Sequence, residues 1–112
     1  MIEKEINGKT VGFVFNFYAF GIAEEQLDRP IDEMLKTLSD KKKPKVRIIA
    51  ALFYGGAVNY CEMNDKEVDF KINNVGDWLE FIGFDEAMKI LSGALKILEP
   101  KNISPPQAEG VN

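Results

Sequence analysis

The stretch Pro44–Glu62, PKVRIIAALFYGGAVNYCE, decides how this chain folds. Val46, Ile48, Ile49, Leu52, Phe53, Ala57 and Val58 spread over most of a helical circumference instead of lining one stripe. A helix apolar nearly all round is buried on every side. The sequence therefore predicts a central helix from Pro44 to about Glu62, with the rest of the chain packed around it. Pro44 suits its start, where a missing N–H costs nothing. Gly55-Gly56 lies in the middle, and each glycine weakens an exposed helix by about 1 kcal/mol relative to alanine. Such a pair predicts the close approach of another helix or an interface. We expect self-association through Gly55 and Gly56.

Upstream, Asn7-Gly8 is the preferred pair for a type I′ turn, whose two central positions both need positive φ. Ile2 and Ile6 precede it, alternating with charged residues; Val11, Phe13 and Phe15 follow. With that pair as the loop, Ile6 faces Lys9, Lys4 faces Val11 and Ile2 faces Phe13. The hairpin is apolar on one face away from its turn, and an isolated hairpin is marginal, so helices must cover it. Phe17, Phe20, Ala23 and Leu27 then recur at helical spacing. After Asp28-Arg29-Pro30, a short helix over Pro30–Leu38 carries Ile31, Met34, Leu35 and Leu38 on one side. Asp32 and Glu33 favour its N-terminal end.

Downstream, Met63–Lys71 reads as an acidic loop. Asn73 or Asn74 caps a helix bearing Val75, Trp78, Leu79 and Ile82 that stops at Gly83. Asp85 caps a last helix reaching about Leu98, with Phe84, Met88, Leu91, Leu95 and Leu98 as its stripe. The fold class is mainly α (α+β): an N-terminal hairpin, then a compact bundle of about five helices. Residues 1–99 form one domain, and the Pro- and Gly-containing segment 100–112 is expected to be a flexible, disordered tail.

Composition narrows the chemistry. The chain has 112 residues, 46% of them hydrophobic, with eight Phe. That is enough apolar material for one domain with a true core. Fourteen basic against 18 acidic residues leave a net charge of −4, so bulk charge will not hold nucleic acid. There is no His, which removes the usual general base near neutral pH and with it Ser–His and Cys–His pairs. A single Cys, Cys61, allows neither an internal disulfide nor a Cys/His metal cluster. These absences point away from an enzyme, a cofactor or a metal site. The longest apolar run, Ile48–Tyr60, falls short of the roughly 20 residues that span a bilayer. The N-terminus lacks the apolar stretch of a signal peptide, so a soluble intracellular protein is expected.

Three short patterns have plainer readings. Gly8-Lys9-Thr10 ends like a phosphate-binding loop, but Glu3 stands where that motif needs glycine. Glu62, Asp65, Glu67 and Asp69 suggest a calcium loop, yet the required glycine and bidentate glutamate fall on Phe70 and Gly76. Lys41-Lys42-Lys43, with Lys45 and Arg47, is the one basic cluster. It reads best as a polar interhelix loop, since no interleaved aromatics accompany it. The aromatics outnumber what one face per helix needs, and Tyr18 and Phe81 fall off the main stripes. An apolar patch for a partner follows from that excess.

Taken in order, these segments resemble the tail assembly chaperones of bacteriophages with long, non-contractile tails. Glu5–Thr10 with Gly12-Phe13 looks like that family's opening strand-turn-strand, and Phe20–Leu27 like its first helix. Pro30–Leu35 is similar to its short second helix, and Ile49–Gly56 (IAALFYGG) to its central helix. Asn74–Leu79 and the closing helix complete the series. The resemblance implies a non-enzymatic protein that coats the tape measure protein and keeps it soluble before the tail tube forms. It implies action in the cytoplasm of a bacterial host and absence from the finished virion. It also implies a longer form made by ribosomal frameshifting, whose extension recruits tail tube subunits. Pro100-Lys101-Asn102 is compatible with a slippery codon run. A helical client would lie in a groove, read at i, i+3/i+4 and i+7. Tyr18, Phe20, Trp78 and Phe81 are the expected client face. The alternative is a small helical regulatory or nucleic-acid-associated module that uses residues 41–47.

Overall fold

The computed structural model describes residues 1–99; the segment 100–112, with the expected tail and the slip-site residues, lies outside the described residues. Two strands, β1 (Ile2–Ile6) and β2 (Lys9–Phe13), precede five α-helices: α1 (Phe17–Leu27), α2 (Ile31–Ser39), α3 (Val46–Met63), α4 (Ile72–Ile82) and α5 (Phe84–Ala94). A 3₁₀ turn over Leu95–Leu98 follows. Among the described residues, no helix is long and apolar enough to cross a membrane.

The hairpin has the expected register: Ile2 opposes Phe13, Lys4 opposes Val11 and Ile6 opposes Lys9. Asn7 and Gly8 take φ of 53° and 76°, the positive values that the tight turn demands. Ile6, Val11 and Phe13 turn into the core. The opposite face is covered at Gly12, where an added Cβ would overlap the Tyr60 ring. The Tyr60 phenol donates to Glu3 at 2.7 Å, fastening the end of α3 to β1.

Helix α3 is the buried axis, with Ile48, Ile49, Leu52, Phe53 and every residue from Gly55 to Cys61 out of solvent. It begins at Val46, two residues later than Pro44, because Lys45 is not helical at φ −122° and ψ −13°. Its glycines are used within the chain. A Cβ on Gly55 would run into the Ala19 carbonyl of α1, and one on Gly56 would stand 3.0 Å from the Phe15 ring. The close approach foreseen from Gly55-Gly56 is thus that of α1 and of the hairpin exit. Both glycines are buried, which removes them as a self-association surface.

One buried polar side chain locks this joint. Asn59, 4% exposed, donates to the Val14 carbonyl at 3.0 Å and to Asn16 Oδ1 at 2.9 Å. The same Asn16 oxygen accepts the Ala19 N–H at 2.9 Å and so caps α1. At the other end of α1, Glu24 Oε2 accepts the Ile31 N–H at 2.8 Å and caps α2 from outside. Aromatic edges fill the centre. Phe13 meets Phe53 edge-on at 5.0 Å, Phe15 meets Phe53 at 5.4 Å, and Trp78 lies 6.3 Å from Phe13. Each such pair contributes about 0.5–1.5 kcal/mol beyond area burial.

The ends of the last two helices also differ from the sequence reading. Helix α4 starts at Ile72, so Asn73 and Asn74 lie inside it. Asn74 Oδ1 instead reaches back to accept the Lys71 N–H at 2.8 Å. Helix α5 starts at Phe84 directly after Gly83, which places Asp85 in its first turn and not at its cap. It ends at Ala94, not Leu98, because Ser92-Gly93 weakens the last α-helical turn. The 3₁₀ turn keeps Leu95 and Leu98 on one side at their spacing of three.

Candidate functional site

The four aromatics expected to form one client face do not share a surface. Phe20 is 2% exposed and belongs to the core, beneath α1. Trp78 is half-buried, with its ring 5.0 Å from Phe70 and turned toward Phe13. Phe81, 62% exposed, shares a shallow recess with Trp78 beside the hairpin turn, next to Ile6 and Lys9. Tyr18 is exposed elsewhere, and its phenol donates to Glu62 at the end of α3, at 2.7 Å. That hydrogen bond to a carboxylate holds the Tyr18 pKa above 10.0.

The larger apolar surface lies on residues that periodicity assigns to the core. Val46 and Phe84 are 69% and 56% exposed. With Ile49, Leu79 and Ala87 they form a groove of about 520 Å³ between the start of α3, the flank of α4 and the start of α5. Asp77 and Glu80 of α4 make an acidic rim. Gly83 creates the corner: at φ 90° and ψ 148° it ends α4 and starts α5 with no further linker. Every helix here begins on an apolar residue: Phe17, Ile31, Val46, Ile72 and Phe84. None of the five is buried. Side chains on a helix lean toward its N-terminus, so a first-position side chain leans past the end of its own helix. That lean carries Val46 and Phe84 out to the lips of the groove, and leaves Phe17 66% exposed. The sequence reading placed the starts of α2 to α5 elsewhere, at Pro30, Pro44, Asn73 or Asn74 and Asp85, so their apolar first residues emerged only with the structure.

A basic cleft adjoins this groove across Val46, which lines both. Arg29, Lys43 and Arg47 bring cations from three segments around Leu27, Pro44 and Ile48, in a cleft of about 520 Å³. Lys45 is not available to it. Its ammonium donates to the Lys43 carbonyl at 2.9 Å and to the Asp40 carbonyl. The ion pairs among the described residues are Lys4–Glu86 and Lys9–Asp69, neither of which engages the cleft.

A third recess, about 300 Å³, lies between β2, the end of α3 and the loop after it. Tyr60, Phe70, Trp78 and Cys61 line it, and the Lys66 ammonium stands 5.3 Å from the Tyr60 ring centre. Burial pushes the Cys61 thiol up from its ordinary value, which disfavours the reactive thiolate. Among the described residues no three His, Cys, Asp or Glu side chains gather to hold a metal. What these surfaces offer is apolar contact framed by charge. No family model, curated protein or solved structure matches this chain.

Proposed function

We propose that this protein is a tail assembly chaperone of a long, non-contractile phage tail, which holds the tape measure protein in solution until the tube forms. The observation that carries this reading is the groove between α3, α4 and α5. Its floor of Ile49, Leu79 and Ala87 and its exposed lips Val46 and Phe84 suit the apolar stripe of a helical client. The rim carboxylates Asp77 and Glu80 favour a client with basic residues beside that stripe. The ordered resemblance of the segments from Glu5 to the closing helix supports the same reading. So does a net charge of −4, which keeps a coat of many copies dispersed. The action is binding, without bond-making chemistry, and takes place in the host cytoplasm. A frameshifted longer form would add contact with tail tube subunits.

Co-expression with the tape measure protein encoded beside it tests this reading. The wild-type chain is expected to raise the soluble fraction of that client. Phe84→Glu is expected to abolish the rescue while leaving the circular dichroism spectrum of the isolated protein unchanged. A client that precipitates equally with and without the wild-type chain refutes the proposal. Rescue that survives Phe84→Glu moves the client site elsewhere.

A further inference from the structure

We infer that, without a client, two copies of this chain close on each other face to face, each covering the other's apolar groove. The groove and the basic cleft lie side by side, with Val46 as the ridge between them. They are opposite in charge. The groove carries Asp77 and Glu80, and the cleft carries Arg29, Lys43 and Arg47. Among the described residues these groups make no ion pair within their own chain. Their apolar parts match as well: Phe84 stands exposed at the groove, while Leu27, Pro44 and Ile48 line the cleft.

Adjacent complementary patches permit a closed symmetry. If the two patches lay on opposite sides of the molecule, pairing one with the other would run head to tail and stay open. Adjoining at Val46, they can pair twice about a two-fold axis near that residue, and the assembly then closes. The acidic rim of each copy then meets the cations of the other, and Phe84 of each is withdrawn from water. The monomer's exposed patch of Val46 and Phe84 gains a cover, which is the ordinary fate of such a patch. Arg29 and Arg47 can bind a carboxylate through two parallel N–H groups, so carboxylates of a second copy are well-matched occupants. Nucleic acid fits less well, since no aromatic side chain lines the cleft for base stacking. This dimer concerns the protein alone and stands whether or not the client is a tape measure protein.

Light scattering coupled to gel filtration, over a concentration series, tests it. The expected mass is twice the chain mass of 12.6 kDa at high concentration, falling toward one chain on dilution and on adding salt. Arg47→Glu and Glu80→Lys should each raise the dissociation constant roughly tenfold or more, the loss expected when a charged hydrogen-bonded pair is broken. Mixing the two single variants should restore a dimer, because position 80 of each copy again meets an opposite charge at position 47 of the other. Carrying both substitutions in one chain should restore it as well. All these positions are exposed, and circular dichroism should show unchanged folding. A single-chain mass at every concentration overturns the inference. So does a dimer indifferent to both variants, or failure of the mixture to re-form one. Salt-dependent binding of a single-stranded oligonucleotide, lost in Arg47→Glu while the mass stays that of one chain, would assign the cleft to nucleic acid instead.

Discussion

Gly55→Ala adds one methyl group at the point where α1 crosses α3. The new Cβ would overlap the carbonyl oxygen of Ala19 and lie 3.3 Å from the amide nitrogen of Ala23. Both are backbone atoms inside a helix, so no side chain can swing away, and α1 as a whole must move off α3. Overpacking of this kind costs about 1–3 kcal/mol, and a rigid backbone contact belongs at the upper end. Against it stands the better helix propensity of alanine, about 1 kcal/mol. The net loss is about 2 kcal/mol, a fall in melting temperature of roughly 8–16 °C for a domain of this size. Gly21→Ala and Gly93→Ala supply the control. Both positions are helical and nothing stands within 4 Å of an added Cβ, so each substitution should stabilise by about 0.5–1 kcal/mol. Thermal melts followed by circular dichroism, at two protein concentrations, read all three. If Gly55→Ala melts as high as the wild type while Gly21→Ala gains stability, the close crossing of α1 and α3 is wrong. If its loss vanishes on dilution and grows as protein concentration rises, Gly55 belongs to an interface between copies after all.

Two further substitutions probe the polar joints. Asn59→Ala strips the Val14 carbonyl of its donor in a dry site and should cost about 1–3 kcal/mol in urea unfolding. Asn59→Asp should cost more at neutral pH, since a carboxylate cannot donate to the two oxygens it would face; a loss no larger than that of alanine would refute the donor assignment. The Tyr60 phenol is held above 10.0 by its hydrogen bond to the Glu3 carboxylate, then by burial. A folded-state pKa above the unfolded one means this link stabilises the fold below pH 10.0 and is lost as pH climbs through the folded value. Glu3→Gln should bring the Tyr60 titration down toward 10.0 in ultraviolet phenolate absorbance and flatten that alkaline loss of stability; an unmoved titration would sever Glu3 from Tyr60.

The hairpin was legible to the residue, because Asn7-Gly8 fixes the turn and the turn fixes every cross-strand pair. The helices were legible as elements, and α3 as the buried one, because an all-round apolar helix has one stable place. Their ends were less so. Asn73 and Asn74 look like caps, but Ile72 and the half-buried Phe70 are drawn toward the core, and that burial sets the start of α4 ahead of either asparagine. The joint at Asn16 and Asn59 was invisible in one dimension. It joins residues 43 apart, and each of them alone resembles an ordinary surface asparagine. The client face failed for a related reason. Tyr18 and Phe81 lie off the core stripes as expected, and the half-buried Trp78 reaches a recess beside Phe81, whereas Phe20 is held in the core and Tyr18 faces elsewhere. Which helix starts converge is a property of the tertiary fold, and so the groove was not readable from any one segment.

Where the exposed apolar surface sits bears on how such a protein could let a client go. The chain completes its core internally: Gly55 receives α1, Gly56 receives Phe15, and Gly12 receives Tyr60. The exposed apolar side chains include the leading residues Val46 and Phe84, which meet at the groove beside the corner that Gly83 makes between α4 and α5. A groove of about 520 Å³ would engage only a turn or two of a client helix. Each contact is then weak, and retention along a long client depends on many copies acting together. Release follows the same arithmetic. On the proposed function, a growing tube would need to displace only one copy at a time, and a released copy would cover its own groove against another. Binding by one short client segment should therefore be much weaker than capture of the full-length client. Comparable affinities for the two would mean that a single copy holds its client unaided, and that the groove between α3, α4 and α5 is too small to be the site.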